Sequence, residues 1–151
     1  EQGATLFDVV KAGLYGAKKG NELGSQVATV LAGPSVEKRI RLAVDLALKA
    51  ETLDQAIEDI ADYVGSGLMV YEAVPAAFGL MVAADGKPMD SICAGVNVEY
   101  DTDTTATMIG AMVGALHGVD GFRQDHLELI ERKNQFDLRK MADAIEATYQ
   151  K

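Results

Sequence analysis

Apolar residues recur along this chain at helical intervals, and strand-like alternation appears nowhere convincingly. Leu6, Val9, Val10 and Leu14 follow the i, i+3, i+4, i+8 spacing of one helix face, which predicts a helix ending near Gly20. Residues 21–33 read as a weaker segment closed by Gly33-Pro34. Ser35 is placed to cap the next helix. Its face is Val36, Ile40, Ala43, Val44 and Ala47, with Lys38, Arg39 and Arg41 outside. Thr52 caps another, with Gln55 as capping-box partner and Leu53, Ala56, Ile57 and Ile60 inward. Gly65-Ser66-Gly67 then breaks the pattern, as glycines at a turn do.

From Tyr71 to Ala84 the chain is nearly all apolar, and Pro75 is expected in the first turn of a helix, which tolerates it. Asp85-Gly86-Lys87-Pro88 reads as a turn, followed by a short helix to about Val96 and an irregular link from Asn97 to Asp101. A long helix is predicted from about Thr102 to His117. Its Gly110 and Gly114 share one face and predict a close helix–helix crossing. A glycine inside a helix costs roughly 0.5–1 kcal/mol against alanine, so packing there should offset it. A loop from Gly118 to Phe122 and two polar helices, around 124–132 and 136–149, complete the chain. The pattern is that of an all-α, compact multi-helix bundle without an internal linker or repeat.

Composition refines this picture. A chain of 151 residues with 48% hydrophobic and 25% charged positions suits one compact domain and excludes disorder. Aromatics make up only 6% and tryptophan is absent, so the core must be built from small residues that let helices approach closely. The net charge of -9 argues against nucleic acid and anionic membrane surfaces as partners, because both need clustered Lys and Arg. It suits divalent cations. No apolar run approaches the roughly 18 residues of a membrane span. Cys93 is the single cysteine, which excludes an internal disulfide and points to a reducing, cytoplasmic setting. Its apolar neighbours Ile92 and Ala94 predict an inert core thiol. The chain opens on Glu1 rather than methionine and without a leader pattern, which suggests a fragment or processed product.

One stretch concentrates hard oxygen ligands: Asp101-Thr102-Asp103-Thr104-Thr105. It follows an apolar segment and opens a glycine-rich helix, so its carboxylates are expected at a helix N-terminus between packed elements. Two readings stand side by side. Asp and Thr are favoured N-caps, and the helix dipole welcomes negative charge in the first turn. Alternatively, two carboxylates this close repel if both are partly buried, and a magnesium or manganese ion resolves the conflict. Capping explains either aspartate but not both. Glu58, Asp59 and Asp62 fall on the solvated side of an amphipathic helix. Glu72, ahead of Pro75, is expected to be a buried carboxylate bonded to a helix terminus, or else a contact near a substrate. His117 is placed to cap a helix C-terminus, and His126 to lie at the surface. These two histidines support no Ser/His/Asp arrangement.

The run from Ala94 to Thr104, Ala-Gly-Val-Asn-Val-Glu-Tyr-Asp-Thr-Asp-Thr, resembles the C-terminal signature of ADP-ribosylglycohydrolases, roughly A-x-x-N-x-G-G-D-T-D-T. Three further landmarks are similar and come in family order. They are Gly33-Pro34-Ser35-Val36 with Arg39-Ile40, then Gly65 with Tyr71 to Ala77 as G…E-x-x-P-x-A, and Ala111 to Gly118 as the small-residue helix after the signature. The resemblance implies that residues 1–151 are the C-terminal part of a single all-helical domain whose N-terminal part, carrying a T-D-D motif, is absent from this chain. It implies Asp101, Asp103 and Thr104 as ligands of a two-ion Mg2+ (or Mn2+) site, with Asn97, Glu99 and Tyr100 on the substrate side. It implies hydrolysis of a ribosyl glycosidic bond in ADP-ribose or an ADP-ribosylated target, with this chain alone inactive and the missing half as its partner. A non-catalytic, crystallin-like relative, or a hydrolase of another N-ribosyl compound, is the alternative. Where the signature has Gly-Gly, this chain has Glu99-Tyr100, which narrows the space beside the first aspartate.

Overall fold

The computed structural model describes residues 3–29 and 32–149, and among these it holds eight α-helices and no strand. Residues 1–118 make one compact unit and residues 119–151 a second. The first holds α1 (Leu6–Val27), α2 (Val36–Lys49), α3 (Leu53–Tyr63), α4 (Val70–Ala83), α5 (Pro88–Asn97) and α6 (Thr102–His117). The second holds α7 (Gln124–Asn134) and α8 (Leu138–Tyr149).

Local chemistry sets most boundaries. Thr5 and Asp8 cap α1 reciprocally: the Thr5 amide donates to Asp8 Oδ2 at 3.0 Å and the Asp8 amide to Thr5 Oγ1 at 3.3 Å. The helix does not end near Gly20 as its spacing predicted. It runs on to Val27 through Gly16, Gly20 and Gly24, since glycine weakens a helix by a fraction of a kcal/mol and does not by itself stop one. The weaker segment read at 21–33 is helical as far as Val27, and residues 30–31 lie outside the described ones. Ser35 caps α2 by accepting the Lys38 amide at 3.3 Å, and Thr52 caps α3 by accepting the Gln55 amide at 3.1 Å. The Gln55 side chain reaches one residue further back than a capping box requires, taking the Glu51 amide at 3.0 Å.

α4 is the central element of the first unit, packed on by α2, α3, α5 and α6. Ala73 and every residue from Pro75 to Val82 are buried. Pro75 lies inside the helix rather than in its first turn, because the helix begins at Val70. Small residues make the crowding around α4 possible. A methyl group placed on Gly79 would stand 2.9 Å from Ala43 Cβ and 3.0 Å from the Ala43 carbonyl oxygen of α2. One on Gly13 would collide with the Phe78 ring. On α6 the tight crossing is not at Gly110, whose nearest neighbour is Ile92 Cδ1 at 3.8 Å. It is made from the other side by Gly95 of α5, where a methyl would meet Ile109 Cδ1 at 2.7 Å and Ala106 Cα at 3.1 Å.

Asp85 and Gly86 turn the chain between α4 and α5 with φ of 55° and 66°. His117 closes that corner from the end of α6, its Nε2 lying 2.8 Å from the Gly86 carbonyl oxygen. The histidine stands in the last turn of α6, where the sequence placed it, and ties that end of the helix to the α4–α5 turn. In the second unit Gln135 ends α7 in the left-handed conformation, and Glu131 Oε1 accepts the Leu138 amide at 2.8 Å to start α8.

Candidate functional site

α5 ends at Asn97 and α6 begins at Thr102, so the signature residues occupy the link between two packed helices. Val98 is fully buried and anchors the link. The next two residues, Glu99 and Tyr100, both adopt the left-handed conformation, at φ of 70° and 57°. Each such L-residue costs about 1–2 kcal/mol over a right-handed one. Their side chains point to solvent, with Tyr100 82% exposed, so no packing of their own explains the conformation. Asp101 follows as the N-cap residue of α6.

The link is held by Ser66, a residue that sequence spacing treated as part of a glycine break. Ser66 is fully buried. Its Oγ donates toward the carbonyl oxygens of Glu99, at 2.8 Å, and Val98, at 3.2 Å. Its own carbonyl accepts the Asp101 amide at 3.1 Å. Of the flanking glycines, Gly65 is required by its backbone, and Gly67 leaves room for the Glu72 carboxylate. Gly65 has φ of +82°, and a methyl on Gly67 would come 2.6 Å from Glu72 Oε2. Glu72 is therefore a half-buried carboxylate lying over the glycine turn in the first turn of α4. The available signal for Ser66 was a lone hydroxyl between two glycines, opposite a signature that lacks glycine of its own.

Asp101 is half-buried, while Asp103 and Thr104 are exposed on the first turn of α6. The Asp101 side chain makes no capping hydrogen bond, although its backbone holds the capping position. Among the described residues, none of the three side chains is engaged in a hydrogen bond or ion pair. Exposure of Asp103 also means that shared burial does not by itself force a cation onto the pair. Next to them, Thr105 is fully buried and its hydroxyl has no hydrogen-bond partner. Two unengaged carboxylates and a hydroxyl are the right donors for a hard divalent ion, but supply only part of the roughly six oxygens magnesium takes. Among the described residues no three His, Cys, Asp or Glu side chains converge.

Asn97 and Glu99 lie in a different setting from the aspartates. They line a cleft of about 630 Å³ between α3 and α5, together with Asp54, Glu58, Asp62 and Cys93. Asn97 Nδ2 donates back to the Cys93 carbonyl at 2.7 Å. Glu58 and Asp62 are exposed, as their positions on α3 predicted, whereas Asp59 is half-buried. Cys93 is exposed rather than a core thiol. Its apolar sequence neighbours misled because the buried face of α5 is formed by Ser91, Ala94 and Gly95.

A family model described as ADP-ribosylglycohydrolase matches residues 2–151. An Escherichia coli (strain K12) protein, uncharacterized protein YegU, is 31% identical over 111 residues, covering 74% of this chain and 33% of that protein. The Homo sapiens ADP-ribosylhydrolase ARH3 is 27% identical over 114 residues, covering 67% of this chain and 31% of that protein. The matched part spans about a third of the length of these curated relatives. No solved structure matches.

Proposed function

The chain belongs to the ADP-ribosylglycohydrolase family, and on that premise we propose that it contributes the signature part of a metal-dependent site hydrolysing a ribosyl glycosidic bond of ADP-ribose or an ADP-ribosylated target. The observation that carries this reading is the Asp101 carboxylate. It stands at the head of α6, yet makes no capping bond there, which leaves it available to a ligand. Asp103 and Thr104 follow on the same turn. We assign these three side chains as ligands to Mg2+ or Mn2+. When bound, such ions supply Lewis acidity and orient a substrate diol.

The chain's own residues supply the rest of what this part of the site can do. The amide end of α6 carries a partial positive charge that favours anionic groups near its first turn. Glu99 puts a carboxylate in the place of a signature glycine, which disfavours a diphosphate there and favours the uncharged ribose end. The exposed Tyr100 ring is suited to stacking on a flat group, and Asn97 to hydrogen bonding from the cleft side. The left-handed backbone that glycines adopt easily is kept by Glu99 and Tyr100 despite its cost; this supports a retained site over a decayed one. The remaining ligands and the proton-transfer acid belong to the part of the relatives' length that this chain does not match. Phe7, Tyr15, Leu23 and Val27, exposed along α1, support a further segment of the same domain covering that helix.

The test is calorimetric titration of Mg2+ and Mn2+ into the chain, alone and joined to the preceding part of its domain, with Asp103→Ala alongside. Saturable binding in the joined protein, lost in Asp103→Ala with helicity intact, is the expected result. Undiminished affinity in that variant sinks the ligand assignment.

A further inference from the structure

Two adjacent left-handed residues, neither of them glycine nor packed against the core, would relax unless something outside the turn prevented it. Ser66 is placed on both sides of them. Before and within the turn, its single buried hydroxyl holds the carbonyl oxygens of Val98 and Glu99. After the turn, its carbonyl holds the Asp101 amide. Rotating the Glu99–Tyr100 peptide out of the left-handed form would carry the Glu99 oxygen away from Ser66 Oγ. A fully buried hydroxyl would then lose its shorter bond, which is costly away from water. Ser66 cannot easily follow the movement. Gly65 before it is left-handed, at φ of +82°, and the Ser66 side chain itself is fully buried. The path therefore runs from the buried Ser66 in its glycine turn to the turn ahead of Asp101.

We propose that Ser66 is a positioning residue: it holds the Glu99-Tyr100 turn left-handed and thereby sets where the Asp101 carboxylate stands at the head of α6. The part of this inference that concerns a metal rests on the reading of Asp101 as a ligand; the part that concerns the turn does not. Ser66 touches no proposed ligand itself and acts through the backbone alone. Outer groups that orient a metal ligand typically change affinity 10–100-fold when removed.

Ser66→Ala in the full chain tests both parts. Magnetic resonance reads the φ-dependent couplings of Glu99 and Tyr100 and the exchange rate of the Asp101 amide without any metal. Mn2+ titration, on the chain joined to the preceding part of its domain, reads the affinity. The expected result is loss of the left-handed couplings, Asp101 exchange faster by at least about tenfold, and Mn2+ affinity lower by about 10–100-fold. Adding Tyr100→Gly should restore the turn and recover most of the affinity, since glycine needs no restraint to be left-handed; a role confined to core packing would leave the turn couplings of Ser66→Ala unchanged, and Tyr100→Gly would then add only the stability it adds to the parent. Unchanged couplings and exchange in Ser66→Ala overturn the proposal. If the parent protein binds no Mn2+, the ligand reading falls while couplings and exchange still decide the role of Ser66. If Ser66→Ala alone does not fold in buffer, unfolding in a stabilising osmolyte compares the gain from Tyr100→Gly in Ser66→Ala with its gain in the parent: a larger gain supports the proposal and an equal one overturns it.

Discussion

Gly79→Ala and Gly110→Ala place the same methyl group on two helices and should shift stability in opposite directions. At Gly79 the new carbon would lie 2.8 Å from Ile60 Cδ1, 2.9 Å from Ala43 Cβ and 3.0 Å from the Ala43 carbonyl oxygen. Ile60 and Ala43 are both fully buried, and the carbonyl belongs to the backbone of α2, so relief requires α2 to move off α4. Overpacking of a filled core costs about 1–3 kcal/mol, and a backbone obstacle places this site near the top of that range. The helix preference of alanine over glycine returns about 1 kcal/mol. The net is a loss of about 2 kcal/mol, which in a chain of this size corresponds to a Tm lower by roughly 4–8 °C. At Gly110 only Ile92 Cδ1 approaches, at 3.8 Å, so the preference term stands alone and stability should rise by about 0.5–1 kcal/mol. Urea unfolding followed by far-ultraviolet circular dichroism reads both, with the midpoint shifting at constant slope. A Gly79→Ala protein as stable as its parent, or a Gly110→Ala protein weaker by more than about 1 kcal/mol, refutes the packing argument.

Tyr100→Gly should stabilise the chain by about 0.5–1 kcal/mol, the strain removed less the added freedom of the unfolded glycine, measured by the same urea midpoint. Asp8 is held well below the usual carboxylate range, first by the Thr5 hydroxyl, then by the Thr5 amide and the Lys11 ammonium. A lowered folded-state pKa means that its contribution is present in full above the unfolded value of about 4 and is lost as pH falls further. Amide exchange in the first turn of α1 should therefore accelerate below about pH 4, and Thr5→Ala should move the Asp8 titration back up. The exposed Cys93 should react with a thiol reagent in the native chain at a rate close to that in denaturant. Strong protection would place it back in the core.

The helices, most of their caps and the family were legible because they depend on residues near one another in the chain. The 3.6-residue period, Ser35 and Thr52 as caps, and the Asp101-Thr102-Asp103-Thr104 run are local statements, and tertiary packing left them standing. Reading failed where one residue's meaning depends on another far away. Gly110 has the spacing of a crossing with Gly114, yet no close contact is made at Gly110, while Gly79 and Gly95 do make them, because a glycine permits an approach without saying which helix makes it. Cys93 follows an apolar neighbour yet faces solvent, because burial of α5 is decided by where α4 and α6 lie. The Asp101 side chain could be named as cap or ligand from sequence; only its geometry showed a capping position with no capping bond. Ser66 lies more than thirty residues from the turn it holds. Its hydroxyl has a role only after α4 and α6 bring the glycine turn beside Val98 and Glu99, and no periodicity in the chain records that approach.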